Sequence, residues 1–430
     1  MSILKTLKGA SVAVAIAGAS LSGVFAEDIA ITGGTAFTKG GKGKVENATI
    51  LVADGKITSV TAGGDVPSGY RVIDASGQWV TVGLMATGTT LGLTEVPLSG
   101  SLNDATAGSA KNTIGLDVTY AIDPSSTLIP VTRIEGITRA VTGLTNTKDY
   151  WLGQGAVIHL GNGFDLVEKQ GAYIGLQISE GAASKAGGSR AALWQEIYAK
   201  LEDARPEPEA DAKGDEKAEK KDGKKKKPSA EAKALKRLFD GKTSLMVTAN
   251  RAADILQVIR LKKHFGFNVI LNEGVEAWRV ADELAKADIP VVLDALESLP
   301  QSFETLGATQ TNAGRLAKAG VTIAITGKGS HNARLMPQNA GNAVSNGLSW
   351  EAAMDAMTVG PAEIFGLSDS YGTLEAGKDA DIVVWDGDPI EVMTSPTAVL
   401  IKGDQIELVS RQTRLRDRYL DLTRSPQFKK

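Results

Sequence analysis

The sequence predicts an α/β protein: a closed barrel of strand–helix units carrying a small β module built from both chain ends. Three observations lead there. Short, turn-rich strands run from 28 to 80, strand–helix alternation takes over near 81, and turn-rich strands return after 366. Repeated strand–helix units make parallel sheets whose functional ends are the strand C-termini. Six or more such units in one stretch favour closure of the sheet into a barrel.

The elements follow in order. Asp28 to Gly33 alternates, Ala48 to Val52 is apolar, and a turn at Asp54-Gly55 leads into Gly55 to Val60. Arg71 to Ala75 and Trp79 to Val82 continue the β pattern. The stretch Thr81 to Val96, TVGLMATGTTLGLTEV, opens as a buried strand and ends as a loop. Thr132 to Val141 mixes apolar and charged residues, and Gly155 to Leu160 reads as a strand. Ala191 to Leu201 is helical. Ser244 to Thr248 is a strand end before the helix Ala252 to His264. Asn268 to Leu271, Pro290 to Leu293 and Val321 to Thr326 are strands; Glu276 to Ala287, Ala308 to Ala319 and Trp350 to Val359 are helices. Gly372 to Leu374, Ala380 to Trp385, Ala398 to Lys402 and Gln405 to Leu408 return to β character. The domains are then a leader at 1–26, a composite β module at 27–80 plus 367–410, a barrel at 81–366 and a tail at 411–430. A charged insert at 202–236, including Lys224 to Lys227, has almost nothing to bury and reads as a solvated loop or fraying helix.

Composition narrows the function. The 430 residues contain no cysteine, which removes disulfides, thiolate metal sites and cysteine nucleophiles. A net charge of −3 offers no basic field for nucleic acid. Lys5 and Lys8, the apolar run Ala10 to Leu21 and the small-residue site Val24-Phe25-Ala26 form a secretory leader cleaved after Ala26. Export, to the periplasm in a bacterium, is the expectation. No later window is apolar enough to span a membrane.

Certain runs carry a family likeness. Val72 to Gly77 (VIDASG) leads into the Thr81 to Leu93 strand, and the far end carries GPAEIFG at 360–366 and GTLEAGKDADIVVW at 372–385. In this order they resemble the metal-dependent amidohydrolase superfamily, and within it the exported imidazolonepropionase-like branch. The resemblance implies a (β/α)8 TIM barrel with a composite β-sandwich and hydrolysis of non-peptide carbon–nitrogen bonds, amide or cyclic amide, in small molecules. It also implies zinc or another divalent metal at the barrel mouth. The family ligands are two histidines ending strand 1, one histidine after each of strands 5 and 6, and an aspartate after strand 8. The metal lowers the pKa of a bound water and polarises the substrate carbonyl.

This chain departs from that pattern at each place. The strand-1 pair is replaced by Gly88 and Thr90, and the acidic residue before it by Ala86. The strand-5 position falls at Thr248, the strand-6 position at Asn272 or Glu273, and the strand-8 position at Gly327-Lys328. None of Gly88, Thr90 and Thr248 is a metal ligand, so no metal cofactor is expected. The remaining catalytic candidates are Glu273 as general base, His331 in the loop after strand 8, and Lys328 as a cationic partner for an oxyanion. Thr90, Asn250, Arg251 and Asn332 are candidates for substrate contact, with helix capping as the alternative for Asn250. His159 reads as a turn residue and His264 as a helix C-terminal partner. Two functions remain open: a metal-independent hydrolase, and a non-catalytic ligand-binding or partner subunit. The expected partner is a small molecule. Self-association or pairing with an intact amidohydrolase relative is also open.

Overall fold

The computed structural model describes residues 27–96, 102–206 and 227–420. The leader and its cleavage site, the middle of the charged insert and the last ten residues lie outside them.

Eight strands close a barrel: β1 (Leu84–Thr89), β2 (Ile137–Thr142), β3 (Trp151–His159), β4 (Val167–Ile178), β5 (Ser244–Ala249), β6 (Val269–Glu273), β7 (Val291–Leu293) and β8 (Ile323–Gly329). The strands from β4 round to β2 pair in parallel, and β8 meets β1 through Thr326 opposite Thr87. One strand breaks the expected all-parallel order. β3 runs antiparallel to both β2 and β4. The links on either side of it hold no helix, and a parallel crossover needs a dozen residues or more. The chain therefore doubles back, which puts the end of β3 at the opposite rim from the other strand C-termini.

Every barrel strand contributes at least one apolar side chain to a single buried cluster, from Met85 on β1 through Tyr173 on β4 and Met246 on β5 to Ala324 on β8. This packed interior makes the barrel a core and not a pore. Helices cover the outside. The helix Ala252–Phe265 buries Ile255, Val258 and Leu261 on one stripe. It stops at Gly266, whose φ of +79° suits a left-handed C-cap. The charged insert is shorter than its composition suggests. Ala230–Phe239 is a helix that buries Ala234, Leu235 and Leu238, so residues 230–236 belong to a packed amphipathic element. Charge alone hid that apolar period.

The second layer is an eight-stranded mixed sheet drawn from both chain ends. Ile29–Lys39 pairs with Lys42–Ala53 on one side and with Arg71–Asp74 and Trp79–Val82 on the other. The two ends of the chain join where Trp79–Val82 pairs antiparallel with Ile382–Trp385. The Trp385 indole, 2% exposed, donates to Thr81 Oγ1 at 2.9 Å. Residues 372–374 are a bend and irregular chain rather than strand.

The GKDAD run at 377–381 bolts this sheet to the barrel. Arg139 on β2 is fully buried, donating from Nε to Asp381 at 2.9 Å and from Nη2 to Asp379 at 2.6 Å. Its guanidinium also stacks 4.6 Å from the Tyr371 ring centre. Lys56 Nζ reaches the other oxygen of Asp379 at 2.5 Å. Burial pushes the Asp379 carboxyl up, but Lys56 and Arg139 outweigh it and hold the pKa below its ordinary value of 3.8. A carboxylate depressed in the folded state adds stability above its unfolded pKa and loses it as pH falls through the folded one. The expected result is a melting temperature that drops as pH falls below about 4, with a smaller drop in Asp379→Asn, measured by calorimetry across pH 2.5 to 7.

Candidate active site at the barrel mouth

The C-terminal ends of the parallel strands frame a cavity of about 290 Å³. Its polar wall is Thr89 on β1, Thr145 after β2, Tyr173 and Gln177 on β4, Thr248 on β5, and Asn272 and Glu273 on β6. Leu144, Leu152 and Met246 supply apolar surface. Leu152 reaches the mouth because β3 runs backward and begins there. A second cavity of about 380 Å³, lined by Asn250, Asp294, Gln301 and Asn312 among others, adjoins it through Glu273.

Glu273 is the hinge of this arrangement. It closes β6 with φ +68°, in the left-handed region that costs a non-glycine residue about 1–3 kcal/mol. Asn250, at the end of β5, holds it there. The amide Nδ2 donates to Glu273 Oε2 at 2.7 Å, and Asn250 Oδ1 accepts from the Val275 amide at 3.2 Å. Asn250 is therefore a clamp on Glu273 and not a helix cap. The helix Ala252–Phe265 is capped instead by Glu276, whose Oε2 accepts from the Ala252 amide at 3.0 Å.

Tyr173 fills the floor. It is 9% exposed, and its hydroxyl has no hydrogen-bond partner among the described residues. Burial pushes its phenol up, so it stays protonated at any physiological pH. Two glycines make room for it. A Cβ on Gly143 would lie 2.0 Å from the hydroxyl, and one on Gly155 would lie 2.2 Å from the ring.

The positions where a divalent metal would be held do not fit one. Gly88 has φ +63°, and a Cβ there would stand 2.7 Å from Thr326 Oγ1. Thr326 is itself fixed by donating to the Thr87 carbonyl at 2.6 Å. A histidine at 88 would thus meet both backbone strain and a side chain. Thr248 Oγ1 accepts from Asn272 Nδ2 at 2.9 Å, so these two neutral groups satisfy each other. Among the described residues, no group of three or more His, Cys, Asp or Glu side chains is placed to hold a metal ion.

The other residues singled out by sequence scatter. Thr90 is 6% exposed and sits beneath the rim, its amide donating to the Gly329 carbonyl at 3.3 Å; its neighbour Thr89 takes the place on the cavity wall. Arg251 begins the helix, with Nε 3.9 Å from Asp254. His331 and Asn332 are exposed on the loop after β8. Lys328 lies on β8, and its side chain is outside what the structure describes. His159 is at the far rim, its Nδ1 accepting from the Gly161 amide at 3.1 Å and its Nε2 facing the Asp165 carbonyl at 2.8 Å. His264 pairs with Glu202 at 2.5 Å on the outside of the barrel. Tyr173 and Gln177 were missed by sequence reasoning, although the apolar AYIGLQI run at 172–178 marks their strand.

Comparison with known proteins gives this architecture its place. A model of the amidohydrolase family matches residues 228–410. Amidohydrolase tasK of Hapsidospora irregularis is 40% identical over 72 residues, a match that spans 17% of this chain and 7% of that protein. Among solved structures, an amidohydrolase from Thermotoga maritima MSB8 superposes with a TM-score of 0.76 at 24% identity, covering 88% of this chain and 99% of its own. A putative prolidase from Bifidobacterium longum gives 0.52 at 16% identity, covering 89% and 95%. The family match lies on the second half of the barrel and its sheet, the superposed structures share the fold, and the described residues gather no metal-ligand cluster.

Proposed function

We propose that the protein uses its barrel mouth to bind a small polar molecule without a metal and without hydrolysing it. One observation carries this reading: of the positions matching the family's metal ligands, Gly88, Thr248 and Asn272 or Glu273 border an open cavity, and Glu273 alone among these carries a charge. A hydrolase of the family depends on a cation that brings bound water toward pKa 7 and draws charge from the carbonyl. Nothing described at this mouth does both tasks. Neutral hydroxyl and amide groups around a part-apolar cavity suit recognition of a small ligand.

A second reading is favoured by Glu273 itself. A carboxylate held in a strained backbone at the junction of two cavities is placed to act as a general base on water, which would make the protein a metal-independent hydrolase of amides or cyclic amides. A panel of cyclic amides and dipeptides separates the two. The binding reading expects no turnover above buffer, with saturable binding by calorimetry. Turnover that disappears in Glu273→Gln would sink it and establish the hydrolase.

Within the superfamily we place the chain in the exported imidazolonepropionase-like branch, supported by the Lys5, Lys8 and Ala10 to Leu21 leader pattern and the strand-1 signature. The proposed site of action is the periplasm, and cell fractionation of the full chain tests it. Among the described residues no helix is long and apolar enough to cross a membrane.

A further inference from the structure

We infer that the ligand of the barrel mouth is a small organic cation, an ammonium or amidinium group carried on a molecule that also presents a hydrogen-bonding amide or carbonyl. The inference rests on the mouth being a binding site, and it adds which chemistry the site selects.

Charge comes first. Glu273 is the only carboxylate among the described residues that line the mouth cavity, and none of those residues is Lys, Arg or His. Its one described side-chain hydrogen bond is from the neutral Asn250 amide to Oε2, which leaves Oε1 without a described partner on a residue that lines both cavities. No described ion pair neutralises it. A half-buried carboxylate in this position repels carboxylate ligands and gains most from a cation that also donates a hydrogen bond. Its place is fixed by the left-handed backbone and by the Asn250 clamp, so little reorganisation accompanies binding.

The second anchor is Tyr173. Tyr173 borders the cavity, and its hydroxyl, with no hydrogen bond to a described residue, is open to what occupies that space. The ring is seated by Gly143 and Gly155, which a Cβ would push aside. The unfilled hydrogen bond therefore belongs to whatever enters the cavity, and the protonated phenol donates it to an acceptor such as an amide oxygen. Glu273 and Tyr173 border the same cavity of about 290 Å³, a volume suited to a small molecule. The adjoining cavity leaves room for an extension beyond the cationic group.

Three probes of matched chain length test this by isothermal titration calorimetry at pH 7 on the purified protein: 4-aminobutanamide, neutral pentanamide and anionic glutaramate. The ammonium compound is expected to bind about tenfold tighter than pentanamide or better, with glutaramate weakest. Glu273→Gln should erase the preference, and Tyr173→Phe should weaken the cationic and the neutral probe alike while preserving their order. Equal or tighter binding of pentanamide or glutaramate overturns the inference while leaving the mouth a binding site. Failure of all three to bind overturns the binding reading and the inference together. The wild-type comparison stands without the variants, whose folding is checked by their melting temperatures.

Discussion

Arg139→Met is expected to destabilise the protein by about 3–5 kcal/mol, a loss set by the charges it strands rather than by the contacts it removes. Arg139 has no exposed surface, and Asp381 has none either. With the guanidinium gone, Asp381 keeps only the Lys402 amide at 2.9 Å, and Asp379 keeps Lys56. A buried carboxylate without a cation must protonate or pull in water, and both disfavour the folded state. The double variant Arg139→Met/Asp381→Asn should recover part of the loss, since it withdraws one stranded charge. Urea unfolding of the two proteins measures this. A loss below about 1 kcal/mol, the scale of an exposed pair, would show that the network does not tie the sheet to the barrel.

Gly88→His is expected to damage the fold without restoring the family chemistry. The substitution places a branched ring at φ +63° and drives its Cβ toward Thr326 Oγ1, 2.7 Å away. Left-handed strain and overpacking together cost about 2–5 kcal/mol. Adding Thr90→His does not rescue it, because Thr90 lies buried under the rim and not on the cavity wall. Melting temperature and zinc titration of both variants provide the check. A variant that keeps wild-type stability and binds zinc would mean that the mouth can still hold the metal.

The barrel and the composite sheet were legible because each rests on a local signal. Strands such as ADIVVW and helices such as Ala252 to His264 announce themselves by composition and period. The reversed strand did not. The residues of β3 look like any buried strand, and only the lack of a helix on either side distinguishes it. That reversal also removed His159 from the functional rim, which sequence position alone could not show.

The site was legible in part. Glu273, Asn250 and Thr248 were drawn to the mouth by their places at strand ends, which the parallel arrangement puts on one face. Their roles were not readable, because Asn250 caps nothing and instead clamps a carboxylate 23 positions away. Tyr173 carried no motif at all. Its significance depends on two distant glycines that clear space for its ring, a pairing visible only once the barrel is closed. Residues on the loop after β8, such as His331, were favoured by chemistry but stand exposed, since a residue in a functional loop need not face the cavity.

The most direct test of a mouth without a metal-ligand cluster is elemental analysis of the purified full chain after exhaustive dialysis. Zinc, manganese and iron are expected far below one equivalent per chain, with no rise in melting temperature when any of them is added. One equivalent of a divalent metal surviving dialysis, and lost together with thermal stability in a chelator, would contradict it.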